Sequence, residues 1–461
     1  MSPLRLHPLL RRPLIWALKL LWLLLVLGLI AAIGGVLLLA ETDEVQRREE
    51  GVFFEEREGR IHTFDPGLAR QSWEVEKPEG ALRVFLFGGS QAFGSPYVHR
   101  DQLATSRLLR WLEVPNRGGI ATWLEAYLQH LFPDRPVQVV NLAMPGTPIS
   151  MVHQLVPGVL EAGSPDALLI LSGNNEGAVF GAEDFLVGDE FDAFVSRTVE
   201  EYEQHLDAIL AAAGAAEVPV WLLTVPTNLR DHVPTDRPLF DLPAALAEAE
   251  AGECERLEAR IAGAGEDHAT ALFLRARCLD RSGSPAEALS FYERALEEDK
   301  VIQRARPALN RLLRQREGRP GVRVLDLEAH LRRVAPDGIP GDELFIDSCH
   351  LHLRGYRLLA LRIARAFGEA LGAPPERIAA LPALEVEIFS EGQLSRLHTV
   401  KRLKWLRLKL LTTAGSVEWI NRDRYLRNFE EASWDANDFS FALDRLEADL
   451  PDVREEALTA P

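Results

Sequence analysis

Short apolar runs alternate with segments of helical spacing in this sequence, and that alternation limits the fold more than any other feature. The apolar runs are residues 84–87, 137–140, 167–171, 218–224 and 322–327. Helical spacing of apolar residues occurs at 119–131, 149–160 and 191–213. Strands that alternate with helices predict βαβ units, in which helices cover both faces of a parallel sheet. The predicted fold class is therefore α/β.

The N-terminal segment is predicted to span a membrane. Residues 20–40 carry no charge, and these 21 residues are long enough to cross a hydrocarbon core of about 30 Å. Basic residues precede the segment and acidic residues follow it, so residues 1–19 are expected in the cytoplasm and the rest outside it. A cleaved signal peptide is the alternative. Because its apolar part would be shorter, we favour an uncleaved transmembrane anchor.

Composition excludes some classes of partner and site. The 461 residues carry a formal net charge of -18, which argues against nucleic acid as a partner, since phosphate binding needs a basic face. The three cysteines, Cys254, Cys278 and Cys349, show no CxxC spacing. We therefore expect neither a structural zinc site nor a disulfide framework.

The chain divides into segments of different character. Residues 41–80 are charged and irregular, and we interpret them as a stalk and a loop that leads into the domain. The α/β pattern occupies 81–240, stops, and resumes at 316–375. Residues 241–315, rich in Ala, Glu, Leu and Arg, are predicted to form a helical insertion inside one α/β domain. Residues 376–461 are predicted to form a helical C-terminal extension.

The predicted insertion contains one match to the tetratricopeptide (TPR) pattern. Small or aromatic residues stand at Ala276, Gly283, Ala288, Tyr292 and Ala295. In such repeats small residues occupy the contact between two helices, and glycine occupies their turn. A TPR-like insertion could bind a protein partner. An ordinary Ala-rich helical hairpin is the alternative.

The C-terminal extension contains a basic, partly amphipathic stretch at Lys401–Lys409. We favour a helix that packs on the catalytic domain and keeps its lysines in solvent. Contact with an anionic membrane surface is the alternative, because a basic amphipathic helix gains free energy there.

The first apolar run ends on Gly88-Gly89-Ser90, at the edge of the sheet where ligands of open parallel sheets bind. Glycines permit a sharp turn and close approach of the backbone. A serine at the start of the next helix could then act as a nucleophile. The phosphate-binding patterns GxGxxG and GxxxxGK[ST] and the GxSxG elbow are all missing from the sequence.

Other strand ends supply the remaining groups of a serine hydrolase. The second run leads to Gly146 and the third to Asn175, and a glycine N–H and an asparagine amide can both stabilise an oxyanion. Asp347 and His350 follow the fifth run, and such a pair can orient an imidazole and take the serine proton. Each residue also has a structural alternative: Asp347 could cap a helix, His350 could be a hydrogen-bonded structural histidine, and Gly146 and Asn175 could only form turns.

Together these motifs resemble the SGNH (GDSL-type) hydrolase superfamily. Ser90 falls on the first block, Gly146 on the second, Asn175 on the third, and Asp347 with His350 on the last. The resemblance implies a flavodoxin-like three-layer α/β/α fold and a Ser-His-Asp esterase or acyltransferase. It also implies that the oxyanion donors are the Ser90 amide, Gly146 and Asn175. Such chemistry needs no metal and no organic cofactor.

The sequence departs from the family pattern at several positions. Gly89 stands where an acid is common, Leu351 where proline is common, and Glu176 where aspartate is common. His352 is a competing base, and Asn174 competes with Asn175 for the third block. None of these changes removes a catalytic residue type.

The functional prediction is an esterase anchored in a bacterial inner membrane, with its catalytic domain in the periplasm. Its substrate would be an ester, an O-acyl or O-acetyl group, on an extracytoplasmic carbohydrate or lipid. The first alternative is an O-acyltransferase that takes acyl groups from a membrane partner and modifies a cell-surface or exported polysaccharide. The second is a non-catalytic scaffold of an export complex.

Overall fold

The computed structural model describes residues 53–65, 67–100, 104–177, 188–235, 240–300 and 304–431. The transmembrane anchor predicted at 20–40 lies outside these residues. Among the helices of the described part, none is long and apolar enough to cross a membrane.

A small antiparallel sheet precedes the main one. Its strands are β1 (Phe54–Arg57), β2 (Arg60–Thr63) and β3 (Ser72–Glu74), paired in that order. Glu58 and Gly59 join the first two strands with φ angles of 52° and 72°, which fits a two-residue hairpin turn. The expectation of irregular structure over 41–80 is wrong for this part. In β1 and β2 most side chains are charged or polar, which obscures the alternation of buried and exposed positions. Ile61 is one of the buried residues.

Five parallel strands form the main sheet. They are β4 (Leu82–Gly88), β5 (Val137–Asn141), β6 (Ala167–Leu171), β7 (Val220–Leu223) and β8 (Val322–Leu325). Their spatial order is β5-β4-β6-β7-β8. This is the flavodoxin-like order. The strands remain parallel, but the order in which they are added to the sheet reverses between β4 and β6. The predicted α/β class with a parallel sheet is confirmed.

Helices connect the strands and extend the chain. In the described part they are α1 (Ser90–Phe93), α2 (Ala104–Trp111), α3 (Ile120–Leu131), α4 (Ile149–Ala162), α5 (Asp189–Ala215), α6 (Leu242–Glu250), α7 (Cys254–Ile261), α8 (Ala269–Arg281), α9 (Pro285–Glu298), α10 (Pro307–Arg314), α11 (Leu327–Val334), α12 (Leu353–Leu371), α13 (Pro375–Ala380), α14 (Glu391–Leu410) and α15 (Val417–Glu431). Helices α3 and α12 pack together, as do α4 and α5.

The two faces of the sheet are both covered. Val84 and Leu86 of β4 belong to one apolar core with Trp123 of α3 and Tyr356 of α12. Phe85, whose side chain alternates to the other face, lies beside the end of α4 at Gly163. The strand therefore sits between two helical layers.

Strand β5 is an edge of the sheet, and side chains cap its outward N–H groups. The N–H groups of Val137 and Val139 donate to Gln129 Oε1 at 3.3 Å and to Glu125 Oε2 at 2.9 Å. The N–H of Asn141 donates to Gln71 Oε1 at 2.9 Å. An exposed edge with unpaired donors invites pairing with another chain, and these caps block it.

Helices α6 to α10 lie between β7 and β8. Helices α8 and α9 pack as a hairpin, in which Gly283 takes a φ of 84° at the turn and Ala276 and Ala288 are buried. This agrees with a helical insertion, while its interpretation as a TPR stays a prediction. Cys254 and Cys278 form a disulfide bond, a pairing that the sequence analysis did not indicate. This pairing could not be inferred from the sequence, because it depends on the packing of α7 against α8 and not on the spacing of the cysteines.

Candidate active site

The turn after β4 explains why the sequence has two glycines before Ser90. A Cβ on Gly88, whose φ is 146°, would lie 1.9 Å from the carbonyl oxygen of Leu171 on β6. A Cβ on Gly89 would lie 2.4 Å from Asn175 Nδ2. The backbone of β6 therefore requires glycine at position 88. At position 89 a Cβ would displace the amide of Asn175, so glycine there lets Asn175 lie against the turn.

Ser90 is the first residue of α1 and is buried at the carboxyl edge of the sheet. Gly89 precedes it in an extended conformation, with φ of -85° and ψ of -156°. The strand β4 and the strand β6, which carry Ser90 and Asn175 beyond their ends, flank the point where the strand order reverses. Ligands of this fold bind at that point.

Asp347 and His350 are joined by hydrogen bonds. His350 Nδ1 lies 2.7 Å from Asp347 Oδ2. The backbone N–H groups of His350 and Cys349 both donate to Asp347 Oδ1, at 2.8 and 3.0 Å. Three donors thus fix the carboxylate, and the carboxylate fixes the imidazole.

The charges of the pair stabilise each other. Burial alone would raise the pKa of Asp347, but the charge of His350 and the hydrogen bonds hold the pKa below its ordinary value. Burial opposes the protonation of His350, yet the Asp347 carboxylate raises the pKa of the imidazole well above its ordinary value of 6.5. The site therefore favours an imidazolium, the state that a general base reaches after it accepts a proton.

His350 Nε2 is buried and accepts or donates no hydrogen bond within the described residues. The Ser90–His350 hydrogen bond is therefore not formed in this structure. Catalytic hydrogen bonds are often long or misaligned without substrate and shorten when it binds.

Gln91 ties the segment of Ser90 to the segment of His350. Its Nε2 donates to the carbonyl oxygen of Cys349 at 2.7 Å and to that of Pro226 at 3.0 Å. The residues next to Ser90 and next to His350 are thus in direct contact, although 258 positions separate them in the chain. Sequence reasoning did not single out Gln91, and only its position after Ser90 could have suggested a role.

Gly146 and Asn175, which were predicted to donate hydrogen bonds to the oxyanion, lie near each other. Gly146 has a φ of 79°, and a Cβ there would meet no atom within 4 Å. Asn175 Nδ2 donates to the carbonyl oxygen of the adjacent Thr147 at 3.1 Å. Asn175 therefore contacts both the Gly89-Ser90 turn and the loop of Gly146. Asn174 is oriented differently, with its Nδ2 3.5 Å from Gln91 Oε1.

The C-terminal helix α15 supports the loop of Asp347 and His350, a contact that the sequence did not indicate. Asn428 Nδ2 is 3.4 Å from the carbonyl oxygen of Ile346. Tyr425 Oη is 2.5 Å from Nδ1 of the buried His232, and the charge of Asp347 contributes to the raised pKa of Tyr425, after burial. Arg424 also pairs with Asp342, a few residues before Asp347.

Comparison with solved structures finds some with remote similarity to this chain. One is a lipolytic protein of the G-D-S-L family from Desulfitobacterium hafniense DCB-2, with 13% identity, coverage of 61% of this chain and 98% of that chain, and a TM-score of 0.30. Another is an acetyl-xylooligosaccharide esterase from Geobacillus, with 13% identity, coverage of 63% and 97%, and a TM-score of 0.30. No protein-family model matches the chain, and no curated protein matches it.

In strand order and in the placement of its motif residues, the chain resembles the SGNH hydrolases. Glu176, which replaces the aspartate of the third SGNH block, has a structural contact. It accepts hydrogen bonds from the N–H of Ile149 at 2.9 Å and from Ser172 Oγ at 3.1 Å, at the start of α4. Burial raises the pKa of Glu176 to about 7.

The competing base, His352, is occupied elsewhere. Its Nε2 lies 3.0 Å from the carbonyl oxygen of Asp342. Burial lowers the pKa of His352 to about 4, so the ring is neutral at pH 7. This leaves His350 as the imidazole paired with a carboxylate.

One group of side chains could hold a metal ion among the described residues. Asp347, Cys349 and His350 offer ligand atoms within 4.8 Å of one another. Because the Nδ1–H of His350 already donates to the Asp347 carboxylate, the arrangement suits an oriented base better than an open set of metal ligands.

Proposed function

We propose that this chain is a serine esterase of the SGNH type, with Ser90 as nucleophile, His350 as general base and Asp347 as the residue that orients it. One observation carries the proposal. A buried carboxylate holds one nitrogen of His350, while the other nitrogen is unpaired in the described structure and lies on a segment bonded to the neighbour of Ser90.

The first step forms an acyl-enzyme. Ser90 Oγ attacks the ester carbonyl, and its proton passes to His350 Nε2. Negative charge develops on the carbonyl oxygen, where the N–H of Ser90, the N–H of Gly146 and Asn175 Nδ2 would donate hydrogen bonds. The imidazolium then gives its proton to the leaving alkoxide, which departs as an alcohol.

The second step returns the enzyme. Water gives a proton to His350 and attacks the acyl carbonyl, and the proton then moves to Ser90 Oγ as the acid leaves. A sugar hydroxyl in place of water would make the same site an O-acyltransferase. The acceptor that enters after acylation decides between the two reactions.

The proposed location is outside the cytoplasm, with an N-terminal membrane anchor. Support comes from the uncharged segment at 20–40 and from the Cys254–Cys278 disulfide, since disulfides persist in oxidising compartments. The proposed substrate is an O-acyl or O-acetyl ester on an extracytoplasmic carbohydrate or lipid.

Ester hydrolysis by the full chain in detergent, with acetyl and longer acyl esters, tests the proposal. We expect Ser90→Ala to lower kcat by about 10³-fold or more, because the nucleophile is lost. The matched control is Ser290→Ala, an exposed serine on α9, which should keep full activity.

Product analysis separates the alternatives. Free acid formed with water as the acceptor indicates an esterase, and acyl transfer to an added glycan indicates the transferase. A folded protein in which wild type and Ser90→Ala are equally inactive on all esters and acceptors would contradict the proposal and favour the scaffold.

A further inference from the structure

The exposed large apolar side chains of the described structure lie mainly on two adjoining helices. Most of them lie on α2 or on α14 and the residue after it: Leu108, Trp111, Leu403, Leu406, Leu410 and Leu411, with Leu371 the exception. Scattered exposed apolar residues are ordinary, but a concentration of them indicates an interaction surface.

The leucines of α14 form a stripe. Leu403, Leu406 and Leu410 follow the spacing i, i+3, i+7, which places them on one face of the helix. Leu403 is 61% exposed and Leu410 is 75% exposed. The first half of the same helix buries Leu397 and Val400 against the core. The first half of α14 therefore packs on the protein, whereas the leucine stripe faces solvent. An apolar helix face of this kind is expected to bind something outside the described residues.

Helix α2 adjoins the first half of α14. Gln393 Nε2 donates to the carbonyl oxygen of Glu113 at 3.2 Å, and Arg396 Nη1 donates to that of Leu112 at 2.7 Å, both just beyond the end of α2. Trp111, the last residue of α2, is 78% exposed. Tryptophan is enriched where a protein meets the headgroup region of a bilayer.

The region is basic in an acidic protein. Helix α14 carries six lysine and arginine residues against one acidic residue, Glu391, whereas the whole chain has a net charge of -18. Lys401 is buried, and other charges of α14 are paired within the protein, Arg402 with Glu430 and Lys409 with Asp423. Arg407 is exposed beside the leucine stripe, and Arg107 is exposed on α2.

We propose that α2 and α14 form a docking face for the surface of a bilayer that contains anionic lipid. Leucine and tryptophan side chains would enter the headgroup boundary, and the flanking lysines and arginines would meet lipid phosphates. A symmetric dimer through this face would instead set its basic side chains against their own copies. The segment predicted to anchor the chain, residues 20–40, would keep the domain close to the bilayer and raise the effective concentration of the face at the lipid.

The test uses the full chain in vesicles, with a fluorophore on a cysteine placed at Leu406→Cys. The matched control carries the fluorophore at Glu266→Cys, an exposed position in the loop between α7 and α8. Wild type, whose free Cys349 is buried, measures background labelling. Vesicles of phosphatidylcholine alone are compared with vesicles that also hold phosphatidylglycerol, each with a nitroxide-labelled lipid as quencher.

We expect the label at Leu406→Cys to be quenched at least twofold more in the anionic vesicles, and the label at Glu266→Cys to be unaffected. The double variant Arg107→Gln with Arg407→Gln should remove most of the difference between the two lipids, as should high salt. Thermal unfolding and ester hydrolysis of a soluble substrate should stay at wild-type values in this variant, so that lost docking is distinguished from lost folding.

Equal quenching at the two labelled positions would overturn the proposal, since it would show only that the anchor holds the chain near the lipid. Absence of quenching at Leu406→Cys in both vesicle types would overturn it as well. A label that is protected without vesicles, together with a dimer in sedimentation, would assign the face to a second copy of the chain.

Discussion

At the scale of single residues, the site depends on how Asp347 controls His350. A general base must be neutral before it accepts a proton, and the carboxylate raises the pKa of the imidazole well above 6.5. We therefore expect kcat/KM to rise with pH and to reach half its maximum above pH 6.5. A pH profile of the wild type on a neutral ester measures this.

The same profile for Asp347→Asn isolates the carboxylate. Without its charge the apparent pKa of His350 should fall, and kcat should fall by about 10⁴-fold, because the imidazole loses the group that orients it. Asp134→Asn, which changes an exposed acid, should leave the profile unchanged. A profile whose rising limb lies at the same pH in Asp347→Asn and wild type would contradict the assigned role.

The sequence predicted which residues lie at the strand ends, but it did not predict their hydrogen-bond partners. Ser90, Asn175 and His350 stand at motif positions, so they could be predicted as site residues. Gln91 and the Gly89–Asn175 contact depend on how β4 and β6 approach, which no local pattern records. Three-dimensional packing also decided that His352 bonds to a backbone carbonyl while His350 bonds to a carboxylate.

At the scale of elements, we expect the side chains that cap the edge strand β5 to stabilise the protein. Glu125→Ala removes the acceptor of the Val139 N–H and should cost about 1–3 kcal/mol of unfolding free energy, since a half-buried donor loses its partner. The exposed edge should also make the variant more prone to aggregate. Urea unfolding and light scattering measure the two effects.

The control for this edge is Glu161→Ala, an exposed acid on α4 that caps no strand. It should change the unfolding free energy by less than about 0.5 kcal/mol. Equal stability of the Glu125→Ala and Glu161→Ala variants would refute the capping role.

Elements with strong periodicity were predictable, and elements with masked periodicity were not. Each of the five strands of the main sheet was expected within a few residues of where it lies, because buried parallel strands are continuous apolar runs. Strands β1 to β3 were missed because charged residues occupy their solvent face. The disulfide was missed because two helices, not a cysteine motif, bring Cys254 and Cys278 together.

At the scale of the whole molecule, a buried charge network joins the insertion, the α/β domain and the C-terminal extension. Arg277 of α8 and Arg424 of α15 both pair with Asp231, at 2.8 and 2.5 Å. Arg424 also pairs with Asp342, and Asn228 Nδ2 bridges Asp342 Oδ1 and the carbonyl oxygen of Asp347. The network therefore reaches the backbone of the catalytic loop.

Removal of the central acid tests the network. Asp231→Ala would leave the buried Arg277 and the partly buried Arg424 without their shared partner, and it should cost about 3–5 kcal/mol of unfolding free energy. Glu287→Ala, at an exposed position of α9, is the control and should have little effect. Unfolding by urea gives the comparison, and a loss below about 1 kcal/mol for Asp231→Ala would show that the network does not hold the three parts together.

The most direct measurement for the central claim is the location of the acyl group on the enzyme. Full-length protein is incubated with an activated ester, quenched in acid, digested and mapped by mass spectrometry. The mechanism predicts one acyl group on the peptide that contains Ser90, and its loss in Ser90→Ala. An acyl group on another residue, such as Cys349, or turnover of the ester with no acyl group at Ser90, would contradict the assignment.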